Sequence, residues 1–484
     1  MDQIEHSLAE AEPKAASARQ PAANEWDKTA WRGGAALAAL GLAAGALALT
    51  RSKNFNGSGK AAPSLAPSDR TLAWASPAVL GDSPKRRFYA GSNLDQVVTI
   101  DDLRAMAHRR LPGFVVEYLE GGSEDEAALS RNVAALAEWH FLHRSLVDVS
   151  RRDVSTTLFD RKVTIPVAIA PTGFNGLFWP HADRRLAEAA AEFGVPFAQS
   201  TMSNDLMSRV ARVPGLRYWW QLYVFGPPEV RNTLISRARD NGCEALIITV
   251  DAQIYSNREW EHRTMSGPAS LGWSARFDAL MHPRWFTAGI LTHGMPRFEN
   301  VLEFVPKGRR GLFQSAHWIR AQMDRALTWD TVARIRESWP RKLIIKGLLT
   351  VEDCVRAAEI GADAVAISNH GGRQLDWAVA PLDLLPAVRR AVGERLTILV
   401  DGAMQRGTDV IKALALGADA VFVGRAVLYG VAAAGQDGAR RALDILRQEL
   451  LRDLGLLGVR SVAELSPRLL VRSKQLCDAG CDFH

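Results

Sequence analysis

The residues most able to do chemistry stand together in Ser368-Asn369-His370-Gly371-Gly372-Arg373-Gln374-Leu375-Asp376. A histidine exchanges protons near neutral pH, and the planar guanidinium of an arginine three residues later matches a carboxylate. The apolar run just before, Ala364–Ile367, is typical of a buried strand that ends at Ser368. Lone histidines and arginines are mostly surface groups or satisfied core groups. This cluster at a strand end instead favours a site that binds a carboxylate.

Length and composition exclude few classes of protein. The chain has 484 residues, of which 47% are hydrophobic and 23% charged, as in a globular protein with a sizeable core. The net charge of +6 suits an anionic substrate, a phosphate-bearing cofactor or an anionic membrane, and is too weak to indicate nucleic acid. The cysteines Cys243, Cys354, Cys477 and Cys481 form no CxxC pair. We therefore expect a reduced compartment and no metal site, and a disulfide in the C-terminal tail stays open.

Residues 1–92 are predicted to be an N-terminal extension outside the packed domain. Gly33–Leu49 contains only Ala, Leu and Gly, and residues 33–50 form a candidate membrane segment. As a helix, Gly33–Leu49 would span about 26 Å, slightly less than the roughly 30 Å hydrocarbon core. A signal peptide fits less well, because the region before the apolar run is long and carries several acidic side chains. We favour a membrane anchor over a disordered leader, and both over a signal peptide.

From Leu94 onward, apolar strands alternate with helical patterns, which cover Arg184–Phe193, Glu352–Ile360, Thr408–Leu416 and Ala439–Leu451. Strict alternation gives parallel strands, and eight such units favour a closed (β/α)8 barrel over an open sheet. No GxGxxG follows an early strand, which counts against a dinucleotide-binding domain. The predicted strands are Ile165–Ala170, Phe197–Ser200, Tyr218–Tyr223, Ala245–Asp251, Leu343–Lys346, Ala364–Ser368, Leu396–Asp401 and Ala420–Gly424.

Polar or cationic groups stand at nearly every predicted strand end. A barrel core needs only apolar side chains, so this ring of groups indicates a large polar ligand over the barrel mouth. Gly424-Arg425 fits the phosphate site that barrels build after the last strands, and Lys346 can stabilise negative charge on the ligand. The strand ends are Pro171-Thr172-Gly173, Ser200-Thr201, Gln221-Leu222-Tyr223, Thr249-Val250-Asp251, Lys346-Gly347, Ser368-Asn369-His370, Asp401-Gly402-Ala403 and Gly424-Arg425.

Taken together, these strand ends resemble the FMN-dependent L-2-hydroxy-acid dehydrogenase and oxidase family. The resemblance covers about residues 94–470, and its most specific motifs are SNHGGRQLD at 368–376 and TDVIKALALGADAVFVGR at 408–425. Segments 171–180, 282–285 and 293–296 are most similar to the membrane-associated (S)-mandelate dehydrogenases, with L-lactate dehydrogenases in the same family. We therefore divide the chain into an extension at 1–92, an FMN-binding (β/α)8 barrel at 93–470 with an insertion at about 252–342, and a tail at 471–484. The family also implies a homo-oligomer, expected to be a tetramer.

The resemblance implies roles for individual residues. His370 would take a proton from the substrate while Asp251 hydrogen-bonds its imidazole, and Tyr223 and Lys346 complete the expected catalytic set. The expected substrate ligands are Tyr118, Tyr223, Arg258 and Arg373. The expected FMN ligands are Pro171, Thr172, Gly173, Ser200, Gln221, Thr249, Lys346, Ser368, Asp401, Gly402, Ala403, Gln405, Gly424 and Arg425. Where relatives usually carry Asp-Gly-Gly-x-Arg, this chain has Asp401-Gly402-Ala403-Met404-Gln405, which removes one cation from the phosphate turn.

The implied activity is FMN-dependent oxidation of an L-2-hydroxy acid, mandelate-like or lactate, to the 2-oxo acid. Two arginines around one carboxylate would fix the α-carbon beside His370. His370 would then remove either the hydroxyl proton during hydride transfer or the α-proton, and Lys346 would offset the resulting negative charge. One alternative is a non-catalytic FMN-binding barrel tethered to a membrane. Another FMN chemistry, such as an isomerase, has no need of two carboxylate-binding arginines beside a base.

The composition of the insertion helps to predict which acceptor receives the electrons from the reduced flavin. Its aromatic and basic residues are interleaved, a mixture that suits the headgroup layer of an anionic membrane. They are Trp273, Phe277, Trp285, Phe286, Phe298 and Phe304 with Arg276, Arg284, Arg297, Lys307, Arg309 and Arg310. Because the insertion also resembles the membrane-binding loop of (S)-mandelate dehydrogenase, we expect electrons to pass to membrane quinone at the cytoplasmic face of the inner membrane. The alternatives are an oxidase that uses O2 and an insertion that serves only as a lid over the active site.

Overall fold

A computed structural model describes residues 88–89, 91–263, 265–267 and 270–473, with only the backbone given for 265–267. The chain divides into two units, Met1–Lys85 and Arg86–His484. The candidate membrane segment 33–50 lies outside the described residues, as do Cys477 and Cys481. Within the described ranges, no helix combines the length and the apolar character needed to cross a membrane.

Eight parallel strands close into the predicted barrel. The strands of the described chain are β1 (Trp139–Phe141), β2 (Thr156–Leu158), β3 (Arg161–Val163), β4 (Val167–Ile169), β5 (Pro196–Ser200), β6 (Arg217–Leu222), β7 (Ala245–Thr249), β8 (Met265–Gly267), β9 (Ser270–Leu271), β10 (Lys342–Leu348), β11 (Ala364–Ile367), β12 (Thr397–Asp401), β13 (Ala420–Val423) and β14 (Leu470–Arg472). The barrel order is β10-β11-β12-β13-β4-β5-β6-β7. All eight predicted strands are present, with ends displaced by at most two residues, because apolar runs do not always stop where the ladder of hydrogen bonds stops.

Three helices precede the first barrel strand, and the others follow barrel strands or lie in the insertion. They are α1 (Ile100–Arg110), α2 (Gly113–Glu120), α3 (Ala127–Ala137), α4 (Ala182–Phe193), α5 (Met207–Val210), α6 (Pro228–Asp240), α7 (Glu259–Arg263), α8 (Trp273–Leu280), α9 (Pro283–Trp285), α10 (Leu312–Ala321), α11 (Trp329–Ser338), α12 (Val351–Glu359), α13 (Pro381–Val392), α14 (Gly407–Ala415) and α15 (Arg425–Leu457). The predicted helix Ala439–Leu451 is only the second half of α15, which begins directly after β13. α15 bends at Ala434 and Gly435, where the backbone leaves helical geometry.

The barrel core has two layers, set by the alternation of side chains along each strand. Small residues such as Ala168, Ala198 and Ala366 point to the barrel axis, where the rings of Trp219 and Phe422 meet edge to face with centroids 6.2 Å apart. The alternate residues are larger and pack outward against the helices. The interior is therefore filled with side chains, as in other (β/α)8 barrels, and a ligand can bind only at an end.

The insertion between β7 and β10 has a buried part and an exposed part. Trp273 and Phe277 of α8 are 82% and 66% exposed. Trp285 and Phe298 are buried, so the prediction that they face a headgroup layer is wrong for these two side chains. Trp285 donates to the Leu177 carbonyl at 2.6 Å, and both aromatic rings pack against the barrel unit. Composition alone could not show which aromatic side chains pack inward.

Both ends of the barrel unit extend slightly beyond the boundaries drawn from sequence. The Tyr89 amide donates to the Asp102 carboxylate at 2.7 Å, so residues before 93 contact α1. At the other end, Leu470–Arg472 forms β14, which pairs antiparallel with β1. The first residues of the predicted tail therefore belong to a two-stranded sheet beside the barrel.

Candidate functional site

One cavity at the C-terminal ends of the barrel strands collects most of the predicted site residues. Asp251, Gln221, Thr249 and Ser368 do not line it, and each hydrogen-bonds to another site residue. The predicted residues that do line it are Tyr118, Pro171, Thr172, Gly173, Ser200, Tyr223, Arg258, Lys346, His370, Arg373, Asp401, Gly402, Ala403, Gln405, Gly424 and Arg425.

His370 follows β11 in the left-handed backbone region, with φ +59°. This conformation costs a non-glycine residue roughly 1–2 kcal/mol, and it is retained here where the turn presents the imidazole to the cavity. Gly372 also has positive φ, and a Cβ on it would lie 2.6 Å from the Leu129 amide nitrogen. The glycine is needed because the turn packs directly against α3.

The imidazole of His370 is held from two sides. Its Nδ1 lies 2.9 Å from Asp251 Oδ1, and its Nε2 lies 3.3 Å from the Tyr223 hydroxyl. Burial by itself would raise the pKa of Asp251, but His370 and Lys346 hold that pKa below its usual value. The ionised carboxylate can only accept, so Nδ1 carries the proton. Nε2 is then the nitrogen that can take a proton from a ligand.

The protonation of His370 at neutral pH follows from its surroundings. Burial lowers the pKa of His370 below its ordinary 6.5, and Lys346 and Arg258 act in the same direction, while Asp251 opposes them. The imidazole is therefore neutral near pH 7. A neutral imidazole whose unprotonated nitrogen faces the cavity beside the Tyr223 hydroxyl is suited to act as a general base.

Arg258 and Arg373 come together although they are 115 residues apart in the chain. Both guanidinium groups contact Glu261 Oε1, Arg258 at 3.2 Å and Arg373 at 2.9 Å. Arg258 also donates from Nε to the Arg373 carbonyl at 3.2 Å. Burial lowers the pKa of Arg373 to about 10, which leaves it charged at neutral pH. Two cations and one carboxylate leave one net positive charge, which matches one substrate carboxylate.

Glu261 was not predicted from the sequence. It is buried, and Arg258 and Arg373 hold its pKa below the usual value although burial opposes this. Its position three residues after Arg258 is the spacing of a helical ion pair, which is the only signal that could have suggested it. Tyr255 was also missed, and the guanidinium groups of Arg258 and Arg320 lie 4.5 and 3.6 Å from its ring centroid.

Tyr118 reaches the cavity from α2, ahead of the first barrel strand, as the sequence predicts. Its hydroxyl donates to the Gly173 carbonyl at 3.3 Å, and the Arg373 guanidinium lies 5.0 Å from its ring centroid. The ring also lies 4.8 Å from that of Phe174 and 6.2 Å from that of Phe178. The cavity therefore has an aromatic wall beside its two arginines.

The floor of the cavity is a hydrogen-bonded layer. Lys346 Nζ lies 2.8 Å from Asp401 Oδ2 and 2.9 Å from Ser368 Oγ. Burial by itself would lower the pKa of Lys346, but Asp401 and Asp251 raise it above its ordinary value. The ammonium group is therefore a fixed positive charge under the middle of the cavity, where it can stabilise negative charge on a ligand.

The residues present fit FMN on three observations. Thr172 Oγ1 lines the cavity, is buried and has no hydrogen-bond partner among the described residues. The half-buried guanidinium of Arg425 donates to the carbonyls of Leu119 and Gly371 and makes no ion pair within the described ranges. A cation that is partly withdrawn from water favours a counter-charge, which a phosphate provides. Arg425 also begins the long helix α15, whose N-terminus favours an anion.

Comparisons with known proteins agree with this geometry. Residues 107–472 match the family described as FMN-dependent dehydrogenase. The chain is 38% identical over 372 residues to (S)-mandelate dehydrogenase of Pseudomonas putida, covering 77% of this chain and 93% of the relative. It is 39% identical over 378 residues to L-lactate dehydrogenase of Caulobacter vibrioides, covering 77% of this chain and 97% of the relative.

A solved structure gives the same result for the fold. The monotopic membrane protein (S)-mandelate dehydrogenase matches with a TM-score of 0.74 and 38% identity, over 78% of this chain and all of that chain. Both the barrel and the cavity at its mouth fall within the matched part of the sequence. The chain therefore belongs to the FMN-dependent dehydrogenase family, and it is an oxidoreductase that uses FMN to oxidise a 2-hydroxy acid.

Proposed function

We propose that this chain oxidises an L-2-hydroxy acid, mandelate-like or lactate, at the cavity over the barrel mouth, and that the reduced enzyme passes electrons to membrane quinone. One observation carries the catalytic part. His370, neutral and oriented by Asp251, shares a cavity with the paired arginines Arg258 and Arg373. A base and a carboxylate clamp in one cavity are what oxidation at the α-carbon of a hydroxy acid requires.

The side chains have distinct tasks in this proposal. Arg258 and Arg373 bind the substrate carboxylate, with Tyr118 and Tyr223 beside them, and this fixes the α-carbon near His370 Nε2. His370 accepts the proton that leaves the substrate, and Asp251 stabilises the imidazolium that forms. FMN, when bound, accepts the two electrons that the substrate loses. Lys346 would remain charged and would offset negative charge on the bound cofactor.

The proposed cofactor ligands divide by position. Gly424, Arg425 and the turn Asp401–Gln405 would hold the phosphate and ribityl ends, with Gln405 where relatives carry an arginine. The charge on Arg425 and the N-terminus of α15 supply the cationic environment that this turn lacks. The remaining proposed ligands would hold the ring from the strand ends: Pro171, Thr172, Gly173, Ser200, Gln221, Thr249, Lys346 and Ser368.

Membrane association is also part of the proposal. The similar (S)-mandelate dehydrogenase is described as a monotopic membrane protein. On α8, the exposed side chains Trp273, Phe277 and Leu280, with Met281 directly after it, form an apolar surface next to Arg276. Exposed apolar groups beside cations suit the headgroup layer of an anionic bilayer. We place this surface at the cytoplasmic face of the inner membrane.

The chain is further proposed to form a homo-oligomer, with a tetramer expected from the family. Leu375, Trp377 and Val379 follow the His370 motif and are largely exposed, and such apolar groups are usually covered by a partner. Light scattering of the purified protein tests this part, and a monomer would contradict it.

A substrate and acceptor panel tests the proposed function. We expect (S)-mandelate and (S)-lactate to bleach the bound flavin anaerobically, and a quinone analogue to reoxidise it faster than O2. A better rate with a D-hydroxy acid or a neutral alcohol would contradict the carboxylate clamp. Reoxidation by O2 as fast as by quinone would favour the oxidase alternative.

A further inference from the structure

A second cavity lies between the barrel and the insertion, and the proposed mechanism does not use it. On the barrel side it is lined by Gly176, Pro180 and His181, which follow β4. On the insertion side it is lined by apolar residues of the segment 279–296, among them Trp285 and Ile290. Large, mostly apolar cavities with a few polar groups are typical of small-molecule sites.

Only a thin wall separates this cavity from the one over the barrel mouth. Phe174 and Phe178 line the first cavity, whereas Gly176, between them in sequence, lines the second. Trp285 fixes the insertion to this wall through its hydrogen bond to the Leu177 carbonyl. A single turn of chain therefore contacts both cavities.

The second cavity also meets the apolar surface on α8. Leu280 lines the cavity and is 57% exposed, and Met295 lines it and is 40% exposed. A lipid-soluble molecule could therefore pass from a bilayer that contacts α8 into the cavity along these apolar side chains, beside Arg276, which also lines the cavity.

The polar groups of the second cavity suit a ligand that exchanges protons. His181 and His293 both line it, with ring centroids 5.5 Å apart, and His181 Nδ1 lies 2.9 Å from Asp205 Oδ1. A quinone has an apolar ring and two carbonyl oxygens, each of which gains a proton on reduction. Histidine donates hydrogen bonds and exchanges protons near neutral pH.

We propose that the second cavity binds the head group of a membrane quinone, the electron acceptor of this enzyme. This inference rests on the proposed function. Oxidation of the hydroxy acid to the oxo acid releases two electrons and two protons, and the quinone takes up two electrons and two protons to become the quinol. The shared wall brings the two half-reactions close together, while the acid and the quinone enter from different surfaces.

Two neighbouring residues provide a matched pair for the test. Ile290 lines the second cavity, whereas Leu291 is 69% exposed and is not among the residues that line it. Ile290→Trp fills the cavity, and Leu291→Trp adds a similar volume outside it. We expect Ile290→Trp to lower reduction of a decyl-chain ubiquinone analogue about ten-fold or more, since a filled pocket excludes its ligand. Leu291→Trp should match the wild type, and all three proteins should reduce a soluble dye equally.

A binding measurement keeps the test independent of turnover. An azido derivative of the same quinone, photolysed with the FMN-loaded enzyme in vesicles of phosphatidylcholine and phosphatidylglycerol, should label peptides from 279–296. Labelling should be lost in Ile290→Trp and kept in Leu291→Trp. His181→Gln, which keeps the cavity volume, should lower quinone reduction without lowering dye reduction, and it replaces Ile290→Trp if that variant loses FMN.

The outcomes separate this proposal from the proposed function. If Ile290→Trp reduces and binds quinone like the wild type, the second cavity is not the acceptor site although quinone remains the acceptor. If the wild type oxidises the hydroxy acid with dye but neither reduces nor binds the quinone, both the acceptor and its site are wrong. Loss of dye reduction together with quinone reduction in His181→Gln would also overturn the assignment.

Discussion

At the barrel mouth, charged side chains are buried, whereas on α8 of the insertion large apolar side chains are exposed. Lys346 and Arg258 lie inside the protein, and each has an ionised partner within hydrogen-bond distance. Trp273 and Phe277 face outward, and their apolar surface stays uncovered by the described chain. The two regions therefore depart from the usual distribution of polar and apolar groups in opposite directions.

The difference shows which part of the molecule is complete in itself. Lys346 and Arg258 already have their ionised partners, so this part of the mouth is preorganised before a substrate arrives. An exposed apolar surface is stabilised only by something outside the chain. Changes to the apolar surface on α8 should therefore leave oxidation of the substrate unchanged. Changes at the barrel mouth should leave membrane binding unchanged.

His370→Ala is expected to damage the mouth most. Removing the base should slow anaerobic flavin reduction about 10²- to 10⁴-fold, the range typical of a lost general base. Bound FMN and membrane partitioning should not change, because the proposed cofactor ligands and α8 are untouched. Stopped-flow bleaching measures the rate, and His317→Ala, an exposed histidine of α10, is the control. A near wild-type rate in His370→Ala would remove this residue from the mechanism.

Arg373→Lys tests the geometry of the clamp while keeping its charge. An ammonium group cannot reproduce the planar, paired contacts of a guanidinium, so we expect kcat/KM to fall about 10- to 100-fold. Arg334→Lys on α11 is the matched control, because Arg334 is exposed and does not line the cavity at the mouth. If both variants behave alike in steady-state assays, charge alone would explain substrate binding.

The double variant Trp273→Ser with Phe277→Ser tests the insertion side. Losing two exposed aromatic side chains should lower partitioning to anionic vesicles about ten-fold, while dye reduction stays at the wild-type level. The apolar control is Leu456→Ser, since Leu456 is 68% exposed on α15. A more drastic excision of residues 268–312 would remove the buried Trp285 and Phe298 and would disturb the barrel unit itself. Unchanged partitioning in the double variant would assign membrane binding to another part of the chain.

The smallest expected effect is on the pH profile. The base must be neutral to accept a proton, and burial lowers the pKa of His370, so the acidic limb of kcat/KM should lie below pH 6.5. Asp251 raises the pKa of His370, so Asp251→Asn should move the acidic limb of kcat/KM to lower pH, with each curve normalised to its own plateau. A limb that moves to higher pH would mean that another group controls it.

Much of the barrel and its mouth could be predicted because local patterns determine them. Apolar runs of strand length marked all eight strands, and the residue after each run marked the mouth, since strand ends in a barrel share one face. The side chains that could not be predicted depend on contacts between distant parts of the chain. Glu261 matters because α7 brings it to Arg373, more than a hundred residues later, and no local pattern records that contact.

In the insertion, too, the sequence alone could not predict which side chains are buried. Its aromatic residues are alike in sequence, yet Phe298 packs against Phe174 while Phe277 is exposed, because only the first lies next to the wall behind β4. The hydrogen-bonding of Gln221 and Thr249 beneath the cavity was likewise visible only in three dimensions. Residue type predicted that these groups are at the mouth, and packing determined which of them reach its surface.

The pairing of β13 with β4 has a consequence for the order of events during protein synthesis. A ribosome completes the insertion, with its apolar α8, well before it makes the strand that closes the barrel. Chains fold as they emerge from their N-terminal end, so the growing chain presents α8 while Arg425 and the last strand are still unmade. The nascent protein can thus contact a bilayer or a chaperone before it can bind its cofactor.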